Sequence, residues 1–216
     1  MSDQIQGNPT LVIDNVPGGG SINGSNLFAM RADSDGSQWI GTSASTQYPA
    51  MLQDRRVRYS YDDWTPILAT PTGGVVYAQP ELGDTVEEVL NAVTSQRVKF
   101  AVQSHTRLEL PVLIALDLLG ADVQAVSGMR SRGEGRLAFV LNDSGEIVRD
   151  PAFPDLPTFN EVYETLHGEA PSGPAAEAYR KFFASGFTLQ KLILLPNDAP
   201  EALIQEYRDA ARRFVD

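Results

Sequence analysis

The chain has 216 residues, 42% hydrophobic and 21% charged, enough to bury one large core or two small ones. Seventeen Lys and Arg against 28 Asp and Glu leave a net charge of −11, which opposes binding to nucleic acid or to an anionic membrane surface. The absence of cysteine excludes a disulfide framework, thiol redox chemistry and thiolate metal sites, and no apolar run approaches the roughly 20 residues that span a bilayer.

The start, "MSDQIQGNPT", has neither the basic opening nor the apolar centre of an export signal, so the sequence as read carries no export address. Short β-branched runs then alternate with helical periodicity, which predicts an α/β architecture with mostly parallel strands. Predicted strands are Thr10–Asp14, Gln38–Thr42, Gly74–Ala78, Lys99–Gln103 and Val123–Ser127. Between the first two lies "VPGGGSINGS", where three glycines allow several backbone N–H groups to point at one spot ahead of a helix, a concavity suited to a carboxylate or phosphate. Helices are predicted over Thr85–Ser95, with Asp84 or Thr85 as cap, and over Arg107–Leu119, ending at Gly120. The stretch "RDPAFPDLPTFNEV" reads as a rigid extended connection crossing between domains and ending near a helix start at Thr158. A helix over about 172–184, the apolar strand "LILLP" and a helix over about 200–215 close the chain. No internal repeat or low-complexity tract is present.

Several motifs fall short of catalysis. Gly18-x-Gly20 is followed by Asn23 where the dinucleotide fingerprint needs glycine, so nucleotide binding is rejected. Gly41-Thr42-Ser43-Ala44-Ser45 approaches the nucleophile elbow but has Ser45 in place of its second glycine, so these hydroxyls read as hydrogen-bond donors at a strand end. A hydrolase using Ser43, or Ser104 with His105, lacks an orienting acid. His105 and His167 are the only histidines and have no partner at ligand spacing, which argues against a metal. Ser104 or Thr106 is expected to cap the helix starting near Arg107 and to offer its first-turn amides to an anion, and Arg130 is the arginine favoured for a ligand carboxylate. Asp62 and Asp63 read as a structural cap, and Tyr48, Tyr61 and Trp64 as packing residues.

"NPTLVIDNVPGGGSINGSNLFAMRADSDGSQWIGTSAS", "YSYDDWTPILATPTGGVVYAQPE", "LLGADVQAVSGMRSRGEGRLAF" and "DPAFPDLPTFNEV" resemble, in order, successive segments of the solute-binding proteins of tripartite tricarboxylate transporters, over nearly the whole chain. The resemblance implies a periplasmic type II binding-protein fold, two α/β domains closing around a small carboxylate. It assigns residues 1–73 and 150–216 to domain 1 and 74–149 to domain 2. It implies a ligand site built from Gly18, Gly19, Gly20 and Ser21, from Thr42, Ser43 and Ser45, from Ser104, His105 and Thr106, and from Met129 and Arg130, with all four loops facing one cleft. The expected function is capture of a di- or tricarboxylate or aromatic acid and delivery to a membrane permease, with no cofactor, no metal, no enzymatic activity and a periplasmic location, or a cytoplasmic one if Met1 is the native start.

Two departures from the family pattern stand out. The chain begins at what resembles the family's second strand, without the first strand and its loop, and the stretch after Phe139 is shorter than in family members. The expectations are a reduced scaffold with an undersized second domain, half of the carboxylate clamp absent, and self-association or a low melting temperature from uncovered apolar surface. The alternative function is an interaction or structural module built on that scaffold without ligand transport.

Overall fold

The computed structural model describes residues 1–104, 106–127, 134–141 and 146–215, with the backbone alone for 134–141. The chain folds as two compact units, Met1–Thr70 with Leu189–Asp216, and Pro71–Thr188.

The first unit is a three-stranded sheet with helices on both faces. Strand β1 (Ile40–Ser43) and strand β2 (Trp64–Thr70) both pair antiparallel with the last strand, β8 (Lys191–Pro196), which lies between them. "LILLP" is continuously apolar because both of its faces are covered. On one face Leu192 and Leu194 join Ile22 and Phe28 of helix α1 (Ile22–Arg31) and the aromatic group Tyr59 and Trp64. On the other, Ile193 and Leu195 meet Ile204 and Tyr207 of helix α7 (Glu201–Val215). Helix α2 (Ala44–Met51) follows β1 directly and buries Tyr48 completely. The N-terminus is pinned to α7, with Gln6 N donating to Glu206 Oε1 at 2.8 Å and Arg213 donating to Gln4 O at 2.7 Å.

The second unit contains strand β3 (Gly74–Ala78) antiparallel to β6 (Glu134–Leu141), which in turn pairs antiparallel with β7 (Ile147–Val148). A separate pair, β4 (Val98–Val102) and β5 (Val123–Ser127), is parallel, joined through helix α4 (Glu109–Leu118). Helix α3 (Val86–Ser95) lies ahead of β4, and α5 (Phe159–His167) and α6 (Gly173–Phe183) follow β7. Ala115 and Leu119 share an apolar core with Phe159, Val162, Tyr179 and Phe183.

The α/β class agrees with the sequence reading, but four expectations change. Among the described pairings only β4–β5 is parallel, because β8 returns between β1 and β2 and runs against both. Residues 150–188, expected in domain 1, pack in the second unit through Phe159, Val162, Tyr179 and Phe183, so the proline-rich stretch lies within that unit and does not cross between domains. Residues 10–14 form no strand, and Val12 and Ile13 are 86% and 84% exposed. The turn at Tyr61–Asp63 is capped by Ser60, whose hydroxyl accepts from Asp62 N at 3.1 Å; the carboxylates of Asp62 and Asp63 only sit in its first turn.

Candidate functional site

In the first unit two strand-to-helix corners meet. The chain turns through Gly18, Gly19, Gly20 and Ser21 with φ of 110°, 62°, 66° and 80° before α1 begins at Ile22. A Cβ on Gly18 or Gly19 would lie 2.5 or 2.8 Å from the side-chain amide of Asn23 and displace it, and the left-handed backbone is the reason these positions take glycine. Ser21 accepts the left-handed conformation without being glycine, a strain that persists where surrounding structure holds it. Ser25 Oγ donates to Ser21 O at 3.3 Å and fixes that carbonyl.

The second corner is the passage from β1 into α2. Ser45 Oγ lies 2.9 Å from Ser43 Oγ and 3.2 Å from Ser21 Oγ, so three hydroxyls from the two corners form one chain. Two internal hydrogen bonds use two of the three hydroxyl protons and leave one to donate outward. Ser21 and Ser43 occupy the N-cap positions of α1 and α2, yet neither side chain caps its helix, and neither helix has an acidic residue in its first turn. The partial positive charge of both N-termini is therefore met neither by an N-cap hydroxyl nor by a first-turn carboxylate. Lys191, register partner of Ser43, adds a full positive charge on the neighbouring strand. Thr42, predicted with this group, does not join it: it is 5% exposed, its hydroxyl and that of Tyr61 are both buried without a hydrogen-bond partner among the described residues, and burial holds the Tyr61 phenol well above its ordinary range.

The other helix starts contrast with this corner. Thr85 caps α3 and Thr158 caps α5 in complete capping boxes, with the Glu88 and Glu161 carboxylates turned back onto the N-cap amides. Helix α6 begins uncapped at Ser172, but its first turn contains Pro174, which has no N–H to offer.

In the second unit, Ser104 and Thr106 do not cap α4 as expected. Ser104 Oγ accepts from Thr106 N at 3.2 Å and lies 3.1 Å from Thr106 Oγ1, closing a local turn, and the helix begins only at Glu109 with Leu108 at its N-cap. Glu109 supplies the negative charge at that helix start and accepts from Gln103 N at 3.2 Å, which orders the end of β4. This corner thus carries a carboxylate of its own beside its two hydroxyls. His105, Met129 and Arg130 lie outside the described residues. Among the described residues no group of acidic or imidazole side chains has the arrangement of a metal site, and no helix is long and apolar enough to cross a membrane.

The sequence reading named Ser21, Ser43 and Ser45 but not Asn23, which fills the space left by the glycines, nor Lys191. Asn23 had a legible signal, its place one turn after a triple glycine. Lys191 had none, since its neighbours come from the far end of the chain.

No protein-family model and no curated protein sequence matches the chain. Among solved structures it is similar to a TctC solute-binding protein from Polaromonas, with a TM-score of 0.61 and 13% identity over 94% of this chain and 72% of that one. It is also similar to MatC from Rhodopseudomonas palustris, solved with bound malate, with a TM-score of 0.58 and 17% identity over 92% of this chain and 71% of that one. The chain carries the fold of TctC-type solute-binding proteins.

Proposed function

We propose that this chain is an extracytoplasmic solute-binding protein that captures a small carboxylate and delivers it to the membrane subunits of a tripartite tricarboxylate-type transporter. The observation that carries this reading is the pair of uncapped helix starts at Ile22 and Ala44, joined by the Ser21–Ser45–Ser43 hydroxyl chain. A carboxylate seated there accepts hydrogen bonds from first-turn amides and from the free hydroxyl proton, and Lys191 offsets its charge. Glu88 and Glu161 do the same at α3 and α5 from within the chain, which makes an incoming carboxylate the matching occupant at α1 and α2. The likeness to a structure holding malate agrees with a dicarboxylate or tricarboxylate as ligand, with aromatic acids the other class to test. Binding of this kind needs no nucleophile, base or cofactor, and the reading makes the protein a carrier without enzymatic activity, working in the periplasm.

Calorimetry against dicarboxylates, tricarboxylates and aromatic acids, with thermal shift as a second readout, tests the reading. A ligand at a hundred times its Kd raises folding stability by about 2.7 kcal/mol. Ser43→Ala and Ser45→Ala each remove one hydroxyl from the chain and are expected to weaken binding several-fold, since a neutral hydrogen bond contributes about 1 kcal/mol net. Absence of heat with every carboxylate tested, or unchanged affinity in both variants at matched folded fraction, overturns it.

A further inference from the structure

The sheet of the first unit has two edges that are treated differently. The β2 edge is guarded: Pro66 removes a donor, the register shifts between Pro66 and Leu68, and Arg208 of α7 donates to Pro66 O at 3.1 Å. The β1 edge carries no proline, bulge or covering helix contact of that kind, and Gly41 is exposed along it. Facing this edge across a groove of about 1010 Å³ runs the segment 12–18, with α1 residues Leu27 and Phe28 between the two walls. Residues 9–17 run without turn or bend and make no hydrogen bond among the described residues. The segment is held at both ends, by residues 1–6 on α7 and by the glycine turn into α1. It is a strand in composition, "TLVIDN", exposing Val12 and Ile13 to solvent with nothing to pair with.

An unpaired strand-like strap and an unguarded strand edge in one molecule are self-complementary between two molecules. We propose that two copies of this chain associate by exchanging straps, residues 9–16 of each copy entering the groove of the other and adding to the free edge of its β1. The order across the dyad is then β1 of one copy, the strap of its partner, the strap of the first copy and the β1 of the partner. This order places one strand in each groove, closes with two-fold symmetry and leaves no open edge at the centre. The groove is lined by Arg31 and Lys191 against one acid, the chain's own Asp14, so the inserted Asp14 enters a locally positive surface although each chain carries −11. The serine corner that the proposed function gives to a carboxylate opens on the same groove, so strap and ligand compete for it and for Lys191. Salt screens the repulsion between the two chains beyond a Debye length of about 8 Å at physiological ionic strength, while the contacts inside the groove act at shorter range.

The absence of cysteine allows a clean test. Val12→Cys and Gly41→Cys are made singly and together in the full chain; Val12 is exposed and a Cβ on Gly41 meets open space, so neither substitution disturbs the core. Mixed under mild oxidation, the two single variants are expected to give a Val12→Cys to Gly41→Cys covalent dimer, and light scattering on the unmodified chain is expected to show the dimer mass, falling to the monomer mass with Ile13→Lys. A mixture that gives no covalent link between the two different variants, or a double variant that closes only within one chain, overturns the proposal.

Discussion

Glu88 and Glu161 fold back onto the N-cap amides of their own helices, while α1 and α2 start without a side-chain cap and the hydroxyls at their N-cap positions bond to Ser45 instead. Both arrangements begin with a Ser or Thr at the N-cap. The difference is the residue three places on: Glu at α3 and α5, Gly24 at α1 and Thr46 at α2. The second unit satisfies these helix starts internally and gains rigidity from them. The first unit leaves two of its own without a side-chain cap, at the corners to which the proposed function assigns the anion. Local strain at Ser21 points the same way, since strained backbone collects where structure is held for binding.

The comparison can be broken most severely at the glycine turn. Gly19→Ala forces a Cβ into a left-handed residue beside Asn23, and a loss of about 1 to 2 kcal/mol in unfolding free energy is expected by denaturant titration, together with loss of carboxylate binding. A sharper change is Asn23→Asp, which places a carboxylate in the first turn of α1 and so imitates what Glu88 does at α3. Its expected outcome is a gain of about 0.3 to 1 kcal/mol in stability, with carboxylate affinity reduced tenfold or more by calorimetry, equivalent to about 1.4 kcal/mol.

On the capped side, Thr158→Ala is expected to cost about 1 kcal/mol of stability and nothing in ligand affinity. The same cap has a pH signature. Partial burial works to raise the Glu161 carboxyl, but the Thr158 amide, Arg149 and the Thr158 hydroxyl outweigh it and hold it below its ordinary value. A carboxyl depressed in the folded state stabilises above its unfolded pKa and loses that contribution as pH falls through the folded one. Glu161→Gln should therefore reduce stability near pH 7 and flatten the decline below about pH 4.3. Thermal melts across pH 3 to 7 check this. The smallest effect is expected from Asp62→Ala, because Asp62 takes part in its turn through its backbone: a change within about 0.5 kcal/mol and unaltered binding.

Much of the local structure was legible in the sequence. The α3 start, with its cap expected at Asp84 or Thr85 and found at Thr85, the helix start near Thr158 and the glycine turn all arise from interactions within four or five residues, and each appears where the spacing placed it. Ser104 and Thr106 show how that logic overreaches: their hydroxyls bond each other across two residues, and Glu109 takes the helix start instead. "TLVIDN" shows another limit. Its β-branched residues are those of a strand, but a strand exists only when a neighbour supplies the other half of the ladder, and no described residue does so here.

The sequence by itself determined the α/β class, the starts of α3 and α5 and the glycine turn between residues 18 and 20, because the last three depend on torsions and hydrogen bonds that close within one turn of chain and the first on the alternation of such segments. Only the tertiary structure decided that β8 enters between β1 and β2 against both, that α5 and α6 belong with α4, and that Ser21 and Ser45 meet across 24 residues. Such contacts are chosen by which apolar faces cover one another. Hydrophobic burial is non-directional, so the pattern along the chain shows that a face must be covered without naming what covers it.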